Sequence, residues 1–247
     1  MMKHPVTQFF LLALLGVNTI AVVMLINKVD RLESIVIKPT STNITLPENF
    51  EFAFTRMQAF YPSIDTSTVI KIVATANKFE LTNKMENFKW GIGQLLTESG
   101  GSQYHKEGTP KAGKVLISSG GAIGIGQILP STAYGYITSR AKDDDKKILK
   151  ELGCSDFSFM FDKKKSKKVK IAQAKDWLKN ETNNIALWGF IMKNNIEKKK
   201  NVMTALATYN MGDGGIKTYL DSGQSVANND YVVAVKQKID LVEAKLN

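Results

Sequence analysis

The stretch Ser118-Ser119-Gly120-Gly121-Ala122-Ile123-Gly124-Ile125-Gly126-Gln127-Ile128-Leu129-Pro130-Ser131-Thr132-Ala133 decides how the rest of the chain is read. Its glycines let backbone pass close to a ligand. A phosphate cradle is the first reading such a loop invites. No Lys-Ser or Lys-Thr pair follows the glycines, and no strand of buried type precedes them, which argues against a P-loop. Gln127 instead offers one amide that both donates and accepts, a chemistry suited to sugar hydroxyls and N-acetyl groups. Pro130 opens a helix at its first turn.

Upstream, Gly91-Ile92-Gly93-Gln94-Leu95-Leu96-Thr97-Glu98-Ser99-Gly100-Gly101 reads as the end of a helix over Met85–Thr97, with Phe88, Ile92, Leu95 and Leu96 on one face. Glu98 falls three residues after Leu95, on or beside that apolar face. A carboxyl there is partly desolvated, which raises its pKa towards the value a general acid needs. On its own, Glu98 reads more readily as a carboxylate fraying into solvent at a helix end. Downstream, Ala205-Leu206-Ala207-Thr208-Tyr209-Asn210-Met211-Gly212-Asp213-Gly214-Gly215 is an apolar helix ending in Tyr-Asn and a glycine cluster. In isolation Tyr209 serves as a core aromatic and Asn210 as a cap.

The remainder reads as helix. Asp65 or Thr66 caps a helix carrying Val69, Ile70, Ile72, Val73 and Ala76. Further helices are expected at Pro130–Ser139, Ile171–Lys193, Val202–Asn210 and Tyr231–Leu246, and one strand at Lys114–Ile117. The class is mainly α.

Taken in order, these segments resemble the lytic transglycosylase domain of the goose-type-lysozyme-like superfamily. That family carries a Glu-Ser pair ending a helix, matched by Glu98-Ser99. A Gly-Ala-x-Gly-(Leu/Ile)-(Met/Gly)-Gln-hydrophobic-x-Pro-x-Thr-Ala stretch follows in the family, matched by Gly121 to Ala133. A later Asn-Ile helix start corresponds to Asn184-Ile185, and Ala-Tyr-Asn-Ala-Gly to the segment around Tyr209-Asn210-Met211-Gly212. The resemblance covers about Tyr61 to Tyr219. Trp188 stands where the family has glycine, Thr208 and Met211 replace two alanines, and the Ala141–Lys179 stretch is long and charged.

The resemblance implies a lysozyme-like fold and cleavage of the β-1,4 bond between N-acetylmuramic acid and N-acetylglucosamine in peptidoglycan. Glu98 becomes the single catalytic acid and base, with a 1,6-anhydro sugar as product and no metal or cofactor. Ser99, Ser119, Gln127, Tyr209 and Asn210 become substrate-binding candidates. Ser99 is expected to orient Glu98 or touch sugar, and the Tyr209 hydroxyl to hold the Glu98 carboxyl. Glu107 and Asp213 lie in loops outside the motif positions, so no second carboxylate is expected. A hydrolytic muramidase on the same fold and a non-catalytic wall-binding protein are the competing readings.

The bulk properties fit this frame without selecting it. Thirty-three Lys and Arg against 23 Asp and Glu give a net charge of +10, which favours anionic partners such as headgroups or wall polymers. The Lys163–Lys168 run reads as a solvated surface, and no nucleic-acid partner is expected. The single cysteine, Cys154, excludes an intramolecular disulfide and a cysteine-based zinc site. Phe9–Ile26 is an uncharged run of 18 residues, long enough at ~1.5 Å per residue to cross a bilayer core as a helix. The expected organisation is therefore a transmembrane anchor at 1–28, a spacer at 29–60, the catalytic domain at 61–221 and a C-terminal helix at 222–247. Such a tethered protein belongs either in a phage virion, assisting genome entry, or in a bacterial envelope machine facing the wall.

Overall fold

The computed structural model describes residues 46–86 and 88–247. The expected anchor, including Phe9–Ile26, and residues 29–45 of the spacer lie outside the described residues. Among the described residues no helix is long and apolar enough to cross a membrane.

Among the described residues ten α-helices carry the structure: α1 (Phe50–Phe60), α2 (Thr66–Lys78), α3 (Leu81–Lys84), α4 (Lys89–Ser99), α5 (Pro130–Ser139), α6 (Asp143–Glu151), α7 (Lys167–Trp177), α8 (Glu181–Lys199), α9 (Val202–Asp221) and α10 (Asp230–Leu246). The class is mainly α. The strand expected at Lys114–Ile117 is reduced to isolated antiparallel bridges, Tyr104 with Val115 and Ile117 with Ile123.

Local chemistry sets the helix ends. The Asp65 carboxylate accepts from Ser67 N–H at 2.9 Å and opens α2. Asn180, Asn201 and Asn229 cap α8, α9 and α10 in the same way. The single helix expected over Ile171–Lys193 is two, because Asn180 captures the N–H of Asn183 and starts a new helix after Trp177. The glycine cluster after Tyr209-Asn210 does not end α9. It kinks the helix at Gly212 (φ 72°, ψ 171°), and the chain resumes helix to Asp221.

α8 is the centre of the core. Asn183 to Met192 are all buried, including Trp188 and Phe190 at 0% exposure. A helix buried on every face needs neighbours all round. α2 and α9 flank it. α4 packs along α10, and Gly93 allows the approach. A Cβ at Gly93 would meet Ile239 Cγ1 at 2.6 Å and the Val235 carbonyl at 3.0 Å.

One expected boundary moves. The spacer expected over 29–60 ends before Phe50, since α1 buries Phe50, Ala53 and Met57 and its Arg56 pairs with Glu243 of α10 at 2.9 Å. Those three apolar residues recur at helical spacing, a pattern obscured by the Pro47-Glu48-Asn49 turn before them. The C-terminal helix expected within 222–247 forms and joins this core. α10 buries Val232, Val235 and Val242 in the same core. The charged Ala141–Lys179 stretch folds as α6, a short 3-10 turn at Ser158–Phe161 and α7, leaving Lys163, Lys164, Lys167 and Lys168 exposed.

Candidate active site

The glycine-rich stretch is pinned from behind by two buried amides. Gln103 Oε1 accepts from Ile125 N–H at 2.8 Å, while its Nε2 donates to the carbonyls of Leu178 and Lys179. Asn184 Oδ1 accepts from Gly126 N–H at 2.8 Å, and its Nδ2 donates to the Ile123 and Leu178 carbonyls. Both side chains are fully buried, and a side chain at Gly124 (φ 72°) would strike them within 2.7 Å. The loop between Ile123 and Ile128 is thus held by hydrogen bonds that only a bare backbone admits.

In front of this loop lies a cleft of about 360 Å³. Glu98 lines it from the end of α4, Gln127 and Ser118 from the loop, Thr132 from α5, and Tyr209 and Asn210 from α9. Glu98 is half-buried, and burial pushes its carboxyl up to about 7. The partner that opposes this rise is Tyr231 of α10, whose hydroxyl donates to Glu98 Oε1. Burial, reinforced by the nearby negative charge of Glu98, holds the Tyr231 phenol well above its ordinary value. Tyr231 therefore stays a proton donor throughout the neutral range.

Three of the sequence-derived site residues share the cleft with Glu98: Gln127, Tyr209 and Asn210. Gln127 sits at φ 46°, and its Nε2 donates to the Gly124 carbonyl at 2.8 Å. Two others do not reach the cleft. Ser99 Oγ donates to the Leu95 carbonyl at 3.2 Å and accepts from the N–H groups of Gly101 and Ser102, so it closes the last turn of α4. Ser119 is exposed, and its neighbour Ser118 lines the cleft instead.

Tyr209 does not hold the carboxyl as expected. Its hydroxyl donates to the Gly126 carbonyl at 2.5 Å, fastening α9 to the glycine loop. Tyr231 performs the role, and sequence reasoning missed it. The available signal was a hydroxyl-bearing aromatic four residues before Val235, on the apolar face of a helix capped by Asn229. Nothing in that pattern says which helix the face meets.

No second carboxylate lines the cleft among the described residues. Asp213 is held by Lys198 and Arg140, each at 2.8 Å, and by Lys199 at 3.0 Å. These cations, Lys198 foremost, keep its carboxyl far below the ordinary range, and it acts as a permanent anion tying α5, α8 and α9 together. Glu107 is exposed and lines a different cleft, beside Tyr61, Tyr104 and Lys106. Burial pushes the Cys154 thiol up to about 12, which leaves it a poor nucleophile.

Comparison of the chain with family models, with curated proteins and with solved structures finds no match.

Proposed function

We propose that the protein is a peptidoglycan lytic transglycosylase with a lysozyme-like fold, in which Glu98 acts as both acid and base. One observation carries this reading. A single carboxyl, lifted to about 7 by burial and held by Tyr231, faces a cleft whose lining contains no other carboxylate among the described residues. Glycosidases that use water or an enzyme nucleophile pair an acid with a second Asp or Glu. A transglycosylase needs only one.

The step is then as follows. Protonated Glu98 gives its proton to the glycosidic oxygen as the bond to C1 of N-acetylmuramic acid breaks. The N-acetyl group of the sugar supports the charge that develops at C1. The Glu98 carboxylate next removes the proton of the C6 hydroxyl, and O6 closes on C1. The proton balance is zero, and no water is consumed. The amides of Gln127 and Asn210 offer donors and acceptors to the sugar, as do the hydroxyls of Thr132 and Ser118. The Tyr209 hydroxyl is committed to Gly126 and serves the loop rather than the ligand.

The membrane segment read at Phe9–Ile26 would tether this activity, so that it opens the wall locally in a virion or an envelope machine. Digestion of purified sacculi followed by mass spectrometry tests the reaction. Fragments ending in 1,6-anhydromuramic acid are expected. Reducing ends instead would reassign the protein as a muramidase. Binding to sacculi without any release would make it a wall-binding protein.

A further inference from the structure

Six of the eight residues from Lys163 to Lys170 are lysines, and the proposed reaction uses none of them. They form the loop after the 3-10 turn at Ser158–Phe161 and the first turn of α7. Lys165 is held locally, 3.8 Å from Asp162 Oδ2 and donating to Gln173 Oε1 at 3.1 Å. The other five make no ion pair among the described residues. The next acids along the chain are engaged elsewhere. Asp156 accepts from the N–H and the hydroxyl of Ser158, and Asp176 pairs with Lys179 at 2.7 Å. Lys167 and Lys168 also stand in the first turn of α7, where the helix dipole is already positive and an acid would be favourable. The run therefore works against the stability of its own helix. Two apolar side chains flank or interrupt it and stay exposed, Phe161 at 41% and Val169 at 46%. Lys146 of α6 borders this patch, its Nζ 5.1 Å from the Phe161 ring centroid.

We propose that this patch docks on an anionic lipid bilayer. Lys163, Lys164, Lys167, Lys168 and Lys170 meet the headgroup phosphates, while Phe161 and Val169 enter the boundary between headgroups and acyl chains. Charge complementarity alone fits any polyanion. The two exposed apolar side chains select the bilayer, because a phosphate-rich polymer offers them nothing to bury against. Each lysine held near an anionic leaflet raises partitioning about fivefold, so five of them make a substantial but reversible contact. The uncharged run Phe9–Ile26, read above as an anchor, would keep a bilayer at hand and raise the effective concentration of the patch at its surface.

The docked patch is mechanically close to the cleft. The 3-10 turn and α7 both pack against α5, and α5 brings Thr132 to the cleft. Docking therefore fixes the direction in which the cleft faces relative to the bilayer. The contact does not depend on the chemistry at Glu98, so it and the proposed reaction can fail separately.

The test is amide hydrogen exchange, read by mass spectrometry on the full chain reconstituted into vesicles. One preparation is phosphatidylcholine alone, and the other contains about one-third phosphatidylglycerol. The amides of Phe161–Lys170 are expected to exchange about tenfold or more slowly on the anionic vesicles. That slowing should disappear at about 1 M salt, where the Debye length falls to about 3 Å. Lys167→Glu with Lys168→Glu should also abolish it. This pair of acids suits the start of α7, so loss of docking cannot be ascribed to loss of the helix. Phe161→Ser with Val169→Ser should reduce the slowing at least about threefold, since the apolar contact goes with them. Equal exchange on the two kinds of vesicle overturns the proposal. So does slowing that the Phe161 and Val169 substitutions leave unchanged. Slowing by inorganic polyphosphate without any by anionic vesicles would overturn it in favour of a polyanion site.

Discussion

Above pH 7 most Glu98 side chains have lost the proton that the first step of the proposed reaction requires, since burial holds the carboxyl at about 7. The rate of fragment release at limiting substrate should accordingly fall tenfold per pH unit above that value, with no opposing limb near pH 4 from a second carboxylate. A turbidity assay across pH 4 to 9 checks this. The same residue has a stability consequence of definite sign. Its folded pKa lies above the ordinary value of 4.5, so the folded state binds the proton more tightly than the unfolded chain. Stability from this group is full below pH 4.5 and is lost as pH rises towards 7. Glu98→Gln should therefore be more stable than the wild type above pH 7, on the order of 2 kcal/mol, and the advantage should vanish below pH 4.5. Thermal melts at the two pH values measure it. The spacing of Glu98 from Leu95 and Gly91 put a carboxylate beside an apolar face, but only the ordered motifs downstream singled it out as the candidate acid. Tyr231 was not singled out at all. A hydrogen bond between Glu98 and a residue 133 positions later depends on how α10 is laid against α4, which periodicity within either helix does not encode.

At the scale of the element, two devices place the cleft. The first is the glycine contact between α4 and α10. Gly93→Val would push against Ile239 and the Val235 backbone and lift Tyr231 from Glu98. A loss of about 1–3 kcal/mol in urea unfolding is expected from such overpacking, together with a raised Glu98 pKa. The second is Asn184. Ile123 and Leu178 keep other donors if Asn184 is removed, but Gly126 N–H is orphaned. Asn184→Leu should cost about 1–3 kcal/mol and slow fragment release by loosening the loop that carries Gln127. The sequence marked Asn184 as a motif position. Its physical task became clear only with the loop folded against it, and the same holds for Gln103, which no local pattern singles out.

On the scale of the whole molecule, the helices were largely readable and their boundaries were not. Pro130–Ser139 has the ends expected of it, because a proline at the first turn and a following apolar face define a helix locally. α1 and α10 were set outside the domain because each is short of evidence until it meets a partner. α10 is in fact structural: Val232, Val235 and Val242 are at most 2% exposed. Burying three such side chains contributes roughly 5 kcal/mol or more, against a whole-protein stability of about 5–15 kcal/mol. A chain ending at Ser225 should therefore show no cooperative urea transition, as followed by circular dichroism. A sharp transition in the shortened chain would show that the core folds without α10.

In the proposed reaction Glu98 is the one group that both gives and takes the proton. The most direct measurement is the release of 1,6-anhydromuramic-acid-ended fragments from purified sacculi by wild type and by Glu98→Gln, with both proteins shown to be folded. The account predicts abundant anhydro ends from the wild type and none above background from the variant. Anhydro fragments released by Glu98→Gln at a rate near that of the wild type would contradict it.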